Sequence, residues 1–151
     1  MKTIILLVFL TSYYSYSQRL DTQDLYKILR EKSAEKQTEF LLSKKFLQIN
    51  AMQDSTLTFI FDKSNSRVVG LDKEIVKIFR DTITYIIYNP KVHLKFKSKL
   101  NYASKKKPSK DNEGNTMFHL MKSSVIFEEK EILKSENNVQ REYVYKCFLK
   151  K

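Results

Sequence analysis

Residues 89–110 read NPKVHLKFKSKLNYASKKKPSK, with eight lysines and no acid. Two templates compete for this stretch. Asn89 is a good helix N-cap, and Pro90 suits the first helical position, where its missing N–H costs nothing. Val92, Phe96, Leu100 and Ala103 then recur at helical spacing. Val92, Leu94 and Phe96 also alternate with His93, Lys95 and Lys97, as a strand would. Leu94 separates the two, because in a helix it falls on the wrong face. The cap and the length without glycine favour the helix. The choice decides the fold: a helix must bury its apolar stripe on a sheet, whereas a strand would extend one.

The neighbours supply that sheet. TITYIIYN, residues 82–89, is a strand with Ile83, Tyr85 and Ile87 on one side. STLTFIFDKS, residues 55–64, alternates Leu57, Phe59 and Phe61 with Thr58 and Ile60. KSNS, 63–66, reads as a turn, and RVVG, 67–70, as the start of a second strand. DKEIVKIFRD, 72–81, fits a helix through Ile75, Ile78 and Phe79 and a twisted strand equally well. Downstream, PSKDNEGN, 108–115, reads as a loop. TMFHLMKSS, VIFEEKEIL and REYVYKCFLKK read as strands, with a turn at SENN, 135–138. In the first of these, Met117, His119 and Met121 share one side.

Upstream, residues 21–46 lack glycine and proline. Asp21 or Thr22 can cap a helix carrying Leu25, Ile28 and Leu29. Ser33 can cap a second helical stretch carrying Ala34, Leu41 and Phe40 or Leu42. The expected class is therefore α+β: an antiparallel sheet with helices on one face. Helix-then-strands occurs twice, over 21–89 and 90–151, which suggests a structural repeat without sequence identity.

The chain of 151 residues is 42% hydrophobic and 13% aromatic, enough to build the core of one domain. Its opening, MKTIILLVFLTSYYSYSQ, has a basic Lys2, an apolar run too short to span a bilayer and a polar end of small residues. This is the pattern of a signal peptide over 1–17, cut between Ser17 and Gln18, leaving a domain of 18–151. No cysteine stands at the cut, so no lipoprotein anchor is expected, and the mature chain should be periplasmic or secreted. The lone Cys147 has no partner for an internal disulfide, and its apolar setting suggests a buried thiol. The tyrosine- and serine-rich end of the leader, followed by glutamine, resembles leaders of small exported proteins from Gram-negative bacteria of the Bacteroides and Flavobacterium kind. That resemblance implies export and no activity.

Signals for chemistry are few. Gly70 and Gly114 are the only glycines, too few for a phosphate-cradling loop. No zinc spacing and no nucleophile motif is present, so no cofactor, metal or catalytic residue is expected. His93, among lysines, is expected on a solvent-exposed face, and His119 as a hydrogen-bonded sheet residue. Glu128, Glu129 and Glu131 read as a solvated strand face rather than a hydrolytic carboxylate pair.

What remains is charge. The formal net charge is +11 and the pI about 9.6, which favours anionic partners. Lys91, Lys95, Lys97, Lys99, Lys105, Lys106, Lys107 and Lys110 form the candidate anion-binding set. In the helix, Lys91, Lys95 and Lys99 make one row. The cluster holds no arginine, the residue preferred for bidentate phosphate and base contacts, which argues against nucleic acid. The expected function is a non-enzymatic binding module. An anionic membrane surface, lipopolysaccharide or an acidic protein is the candidate partner, and a secreted inhibitor or immunity-type protein is a further possibility.

Overall fold

The computed structural model describes residues 20–49, 55–62, 73–135 and 138–150. The leader, its Ser17–Gln18 cut, KSNS and RVVG lie outside them. Three helices and an eight-stranded antiparallel sheet make an α+β fold. The elements are α1 (Thr22–Arg30), α2 (Ala34–Ser43), β1 (Leu47–Ile49), β2 (Leu57–Asp62), β3 (Lys73–Phe79), β4 (Thr82–Ile87), α3 (Pro90–Ala103), β5 (Ser109–Lys110), β6 (Thr116–His119), β7 (Ser123–Ser135) and β8 (Asn138–Leu149).

Each helix begins at the residue whose side chain can take its orphan amides. The Asp21 carboxylate accepts from the Gln23 and Asp24 amides, and Asp24 returns a contact to the Asp21 amide, a reciprocal box. Ser33 accepts from Lys36 at the start of α2. Buried Gln37 donates to the carbonyls of Ile28 and Glu31 at 3.0 and 2.7 Å, fixing the bend between the two helices. Asn89 accepts from Lys91 and Val92, and Pro90 follows it, so residues 90–103 are helix and not strand. Leu94 is 63% exposed, as the helical template requires.

The strand order is β1-β2-β3-β4-β8-β7-β6-β5. Strands β1 to β4 form one meander and β5 to β8 another, and the last strand of each pairs at the centre, with Tyr85 opposite Tyr145. Alternation assigns the faces. Phe59, Val76, Ile78, Ile83, Tyr85, Ile87, Phe118, Val125, Phe127, Tyr143, Tyr145 and Cys147 form one cluster with Leu25, Ile28, Leu41, Phe96 and Leu100 of the helices. All three helices therefore cover the same face. Burying polar tips there requires partners. The Tyr85 hydroxyl donates to buried Glu74, and Tyr145 pairs with His93.

Three expectations change. The ambiguous segment 72–81 is strand β3, closed onto β4 by a tight hairpin in which Arg80 takes a left-handed φ of 50°. The segment 108–115 is not all loop, because β5 pairs with β6 through Ser109 opposite Met117. The 116–124 strand is cut short at His119, and a turn at Leu120–Lys122 precedes β7. β1, which alternation does not reveal, completes the other edge.

Candidate functional site: the cationic face of the third helix

Helix α3 turns His93, Phe96 and Leu100 inward. At 3.6 residues per turn, this places Lys91, Lys95, Ser98, Lys99 and Tyr102 on the outward side, with Leu94 at its edge. Lys91, Lys95 and Lys99 are exposed, and Tyr102 is 95% exposed. The following segment adds exposed Lys105, Lys106, Lys107 and Lys110. Seven of the eight expected lysines are thus exposed, and Lys91, Lys95 and Lys99 share the outward side of α3 with Tyr102.

Lys97 is the exception. It lies on the flank of α3, half-buried, with its ammonium 4.8 Å from the centre of the Phe127 ring. A cation over an aromatic face is held by the ring quadrupole, so Lys97 belongs to the packing of α3 on β7 rather than to the outward row. Lys110 also makes a local contact, donating to Thr116 at 3.2 Å.

The acids that might have neutralised the row are engaged elsewhere. Glu128 faces Lys130 and Lys146 at 3.2 and 3.5 Å. Glu129 and Glu131, on the other face, both meet Arg141 at 3.3 Å. Asp24 meets Lys44 at 3.0 Å. The carboxylate cluster is therefore a set of ion pairs on the two strand faces, within β7 for Glu128–Lys130 and across β7 and β8 for the others.

His93 overturns its expectation. It is buried, at 5% exposure, although lysines surround it in sequence. Its ring stacks on Tyr143 at 3.7 Å and 14°, and its Nδ1 lies 2.7 Å from the Tyr145 hydroxyl. Burial, and then the charge of Lys97, lowers its pKa to about 4, so the ring is neutral at pH 7. Burial holds Tyr145 well above the ordinary tyrosine range. Its hydroxyl therefore keeps its proton, and phenol and neutral imidazole share one hydrogen bond through Nδ1. His119 behaves as expected: it lies on the opposite face of the sheet, with Nε2 2.8 Å from the Ser109 hydroxyl.

Cys147 points into the core, at 1% exposure, while His119 is on the other face. The two cannot form a nucleophile–base pair, which needs hydrogen-bond reach. Burial pushes the thiol up to about 12, and reactivity follows the thiolate. Native protein at pH 8 is expected to give no measurable reaction with Ellman's reagent within minutes, and one thiol per chain in denaturing urea. Rapid labelling of the folded protein would contradict this placement. Among the described residues, no group of three or more histidine, cysteine or carboxylate side chains could hold a metal ion, and no helix is long and apolar enough to cross a membrane.

No family model, curated protein or solved structure matches the chain. The outward face of α3 was legible from the lysine spacing. So was Leu94, which the helical template already sets off the apolar stripe, whereas Tyr102 carries no periodic signal of its own.

Proposed function

We propose that this is an exported, non-enzymatic binding module that docks on an anionic membrane surface through the outward face of α3. The observation that carries the reading is the placement of exposed Tyr102 within the Lys91–Lys95–Lys99 row and of exposed Leu94 at its edge. Like charges four residues apart repel along a helix by a few tenths of a kcal/mol per pair, and an anionic surface relieves that repulsion. Each lysine near such a surface contributes about 1 kcal/mol. The leucine and the tyrosine supply the apolar and interfacial contacts that amphipathic surface helices use. Export, with the leader over 1–17 removed after Ser17, places the protein where phospholipid or lipopolysaccharide head groups are presented. The mass of protein recovered from the periplasm or medium of an expressing cell tests the cut.

Sedimentation with vesicles tests the docking. Binding to anionic but not neutral vesicles is expected, weakening as salt rises. Changing Lys95 and Lys99 to alanine should weaken it about thirty-fold at low salt, from the roughly 2 kcal/mol that two lysines contribute. Binding that ignores lipid charge, or survives the substitutions, would refute the reading.

A second reading is docking of a protein, as a secreted inhibitor would by occlusion. The face of the sheet away from the helices favours it. Leu47, Ile60, Ile75, Ile86 and Val144 sit directly opposite one another on five neighbouring strands, an apolar row on a face that no described helix covers.

A further inference from the structure

A cleft of about 730 Å³ opens between the start of α1, the end of α3 and the turn joining β6 to β7. Its volume is that of a small-molecule site. Tyr26, Tyr102, Leu120 and Met121 contribute apolar surface, and Lys105 and Lys122 contribute charge. Met121 is 71% exposed and Tyr102 is 95% exposed. Exposed apolar groups gathered around one concavity are what a ligand's hydrocarbon would cover.

The charge around the cleft is one-sided. Among the described residues, no carboxylate lines it. The nearest acids in sequence, Asp21 and Asp24, are occupied by the α1 amides and by Lys44. The α1 amides are already capped by Asp21, so the positive potential comes from side chains and not from the helix end. Lys150 adds to it: its ammonium reaches the Leu120 carbonyl at 2.5 Å, and its amide bonds the Lys122 carbonyl, which also fixes the turn. Arg30 stands 5.7 Å from the centre of the Tyr26 ring.

We propose that this cleft binds a monoanionic amphiphile, a fatty-acid-like carboxylate. Its hydrocarbon would lie among Tyr26, Tyr102, Leu120 and Met121, and its carboxylate would meet Lys105 and Lys122. The Lys95–Lys99 row lies outside the cleft lining, whereas Tyr102 and Lys105 belong to both surfaces, so K95A/K99A is the pair that separates the cleft from the docking face.

The test uses protein recovered after export and the fluorescent probe 1-anilinonaphthalene-8-sulfonate, itself an apolar body with one anion. Dodecanoate, kept below its micelle concentration and without vesicles, should displace the probe at about ten-fold lower concentration than dodecanol, the equivalent of roughly 1.4 kcal/mol for the charged contact. The pair K105Q/K122Q should remove that advantage and leave dodecanol unchanged. The pair Y102A/M121Q should lose probe and dodecanoate together. These side chains are exposed, so thermal midpoints should stay at the wild-type value, confirming folded variants. The pair K95A/K99A should bind dodecanoate normally even where vesicle binding is lost. Equal displacement by acid and alcohol would overturn the proposal. So would probe binding that survives Y102A/M121Q, or dodecanoate binding that needs Lys95 and Lys99.

Discussion

Phe96→Ala is expected to destabilise the protein by about 3–5 kcal/mol, the usual cost of removing a fully buried phenylalanine ring. The side chain has no accessible surface. It meets Tyr85 edge-on at 5.4 Å and Tyr145 edge-on at 4.6 Å, and those two tyrosines face each other across the β4–β8 pair. One ring thus pins α3 to the seam where the two meanders join, and truncation leaves a cavity that neither tyrosine can fill without abandoning its own hydroxyl partner. The loss is comparable to much of the stability of a small domain. Urea unfolding should show the midpoint falling sharply for Phe96→Ala. Leu94→Ala, two residues away and largely exposed, should move it by no more than about 0.5 kcal/mol. The contrast is the helical period made measurable, since a strand would place residues 94 and 96 on the same face. Equal costs at the two positions would remove α3 from the fold.

The parts of the fold legible in the sequence are those with a strong local cause. Asn89–Pro90, Asp21 and Ser33 start helices because their side chains take orphan amides, and each does so here. β2, β4, β7 and β8 were legible because each is a β-branched or aromatic-rich run with one face in the core, although Ile60, Ile86 and Val144 add apolar groups to the other face. β3 was ambiguous because its hairpin is closed at Arg80–Asp81, without the Asn-Gly or Gly-containing signal that marks a two-residue turn. Its left-handed residue is an arginine, at φ 50°. β1 and β5 escaped because they are short edge strands whose residues are all exposed, so neither carries a buried stripe.

The lysine row was legible for the same reason as the helix, while two residues within it were misplaced by one-dimensional reasoning. Composition around position 93 says solvent. The helix, however, buries His93, Phe96 and Leu100, a stripe that shares Phe96 and Leu100 with the expected Val92, Phe96, Leu100 and Ala103 but is turned by about 40° toward His93. Lys97 flanks that stripe and folds back onto Phe127. The cleft could not be read at all, because it is built from the start of one helix, the end of another and a turn, distant in sequence and joined only by topology.

Acid should destabilise the protein through His93. The folded ring titrates at about 4 and the free side chain at 6.5. A group whose pKa is lowered by folding binds its proton more readily in the unfolded chain. Its contribution to stability is therefore complete above about pH 6.5, falls as pH drops through that value, and is gone once the folded ring also protonates near pH 4. The full span corresponds to about 3–4 kcal/mol, reduced to about 2–3 kcal/mol where solvent and salt screen the ring and half-exposed Lys97. Protonation would also make both ring nitrogens donors and set a cation against the Tyr143 ring and near Lys97, so the packing of α3 on β8 is where the cost falls. Carboxylates elsewhere impose their own acid dependence, and the comparison variant isolates the histidine. His93→Gln keeps a hydrogen-bonding amide near the Tyr145 hydroxyl but cannot titrate or stack. It should be less stable than wild type by about 1–2 kcal/mol at pH 7. From pH 6.5 to pH 4 its stability should decline less steeply, so that the two curves approach or cross. Unfolding free energies measured at half-unit intervals over that window decide the matter. Parallel curves would mean that His93 protonates with equal ease in both states and is not sealed beneath the cationic helix.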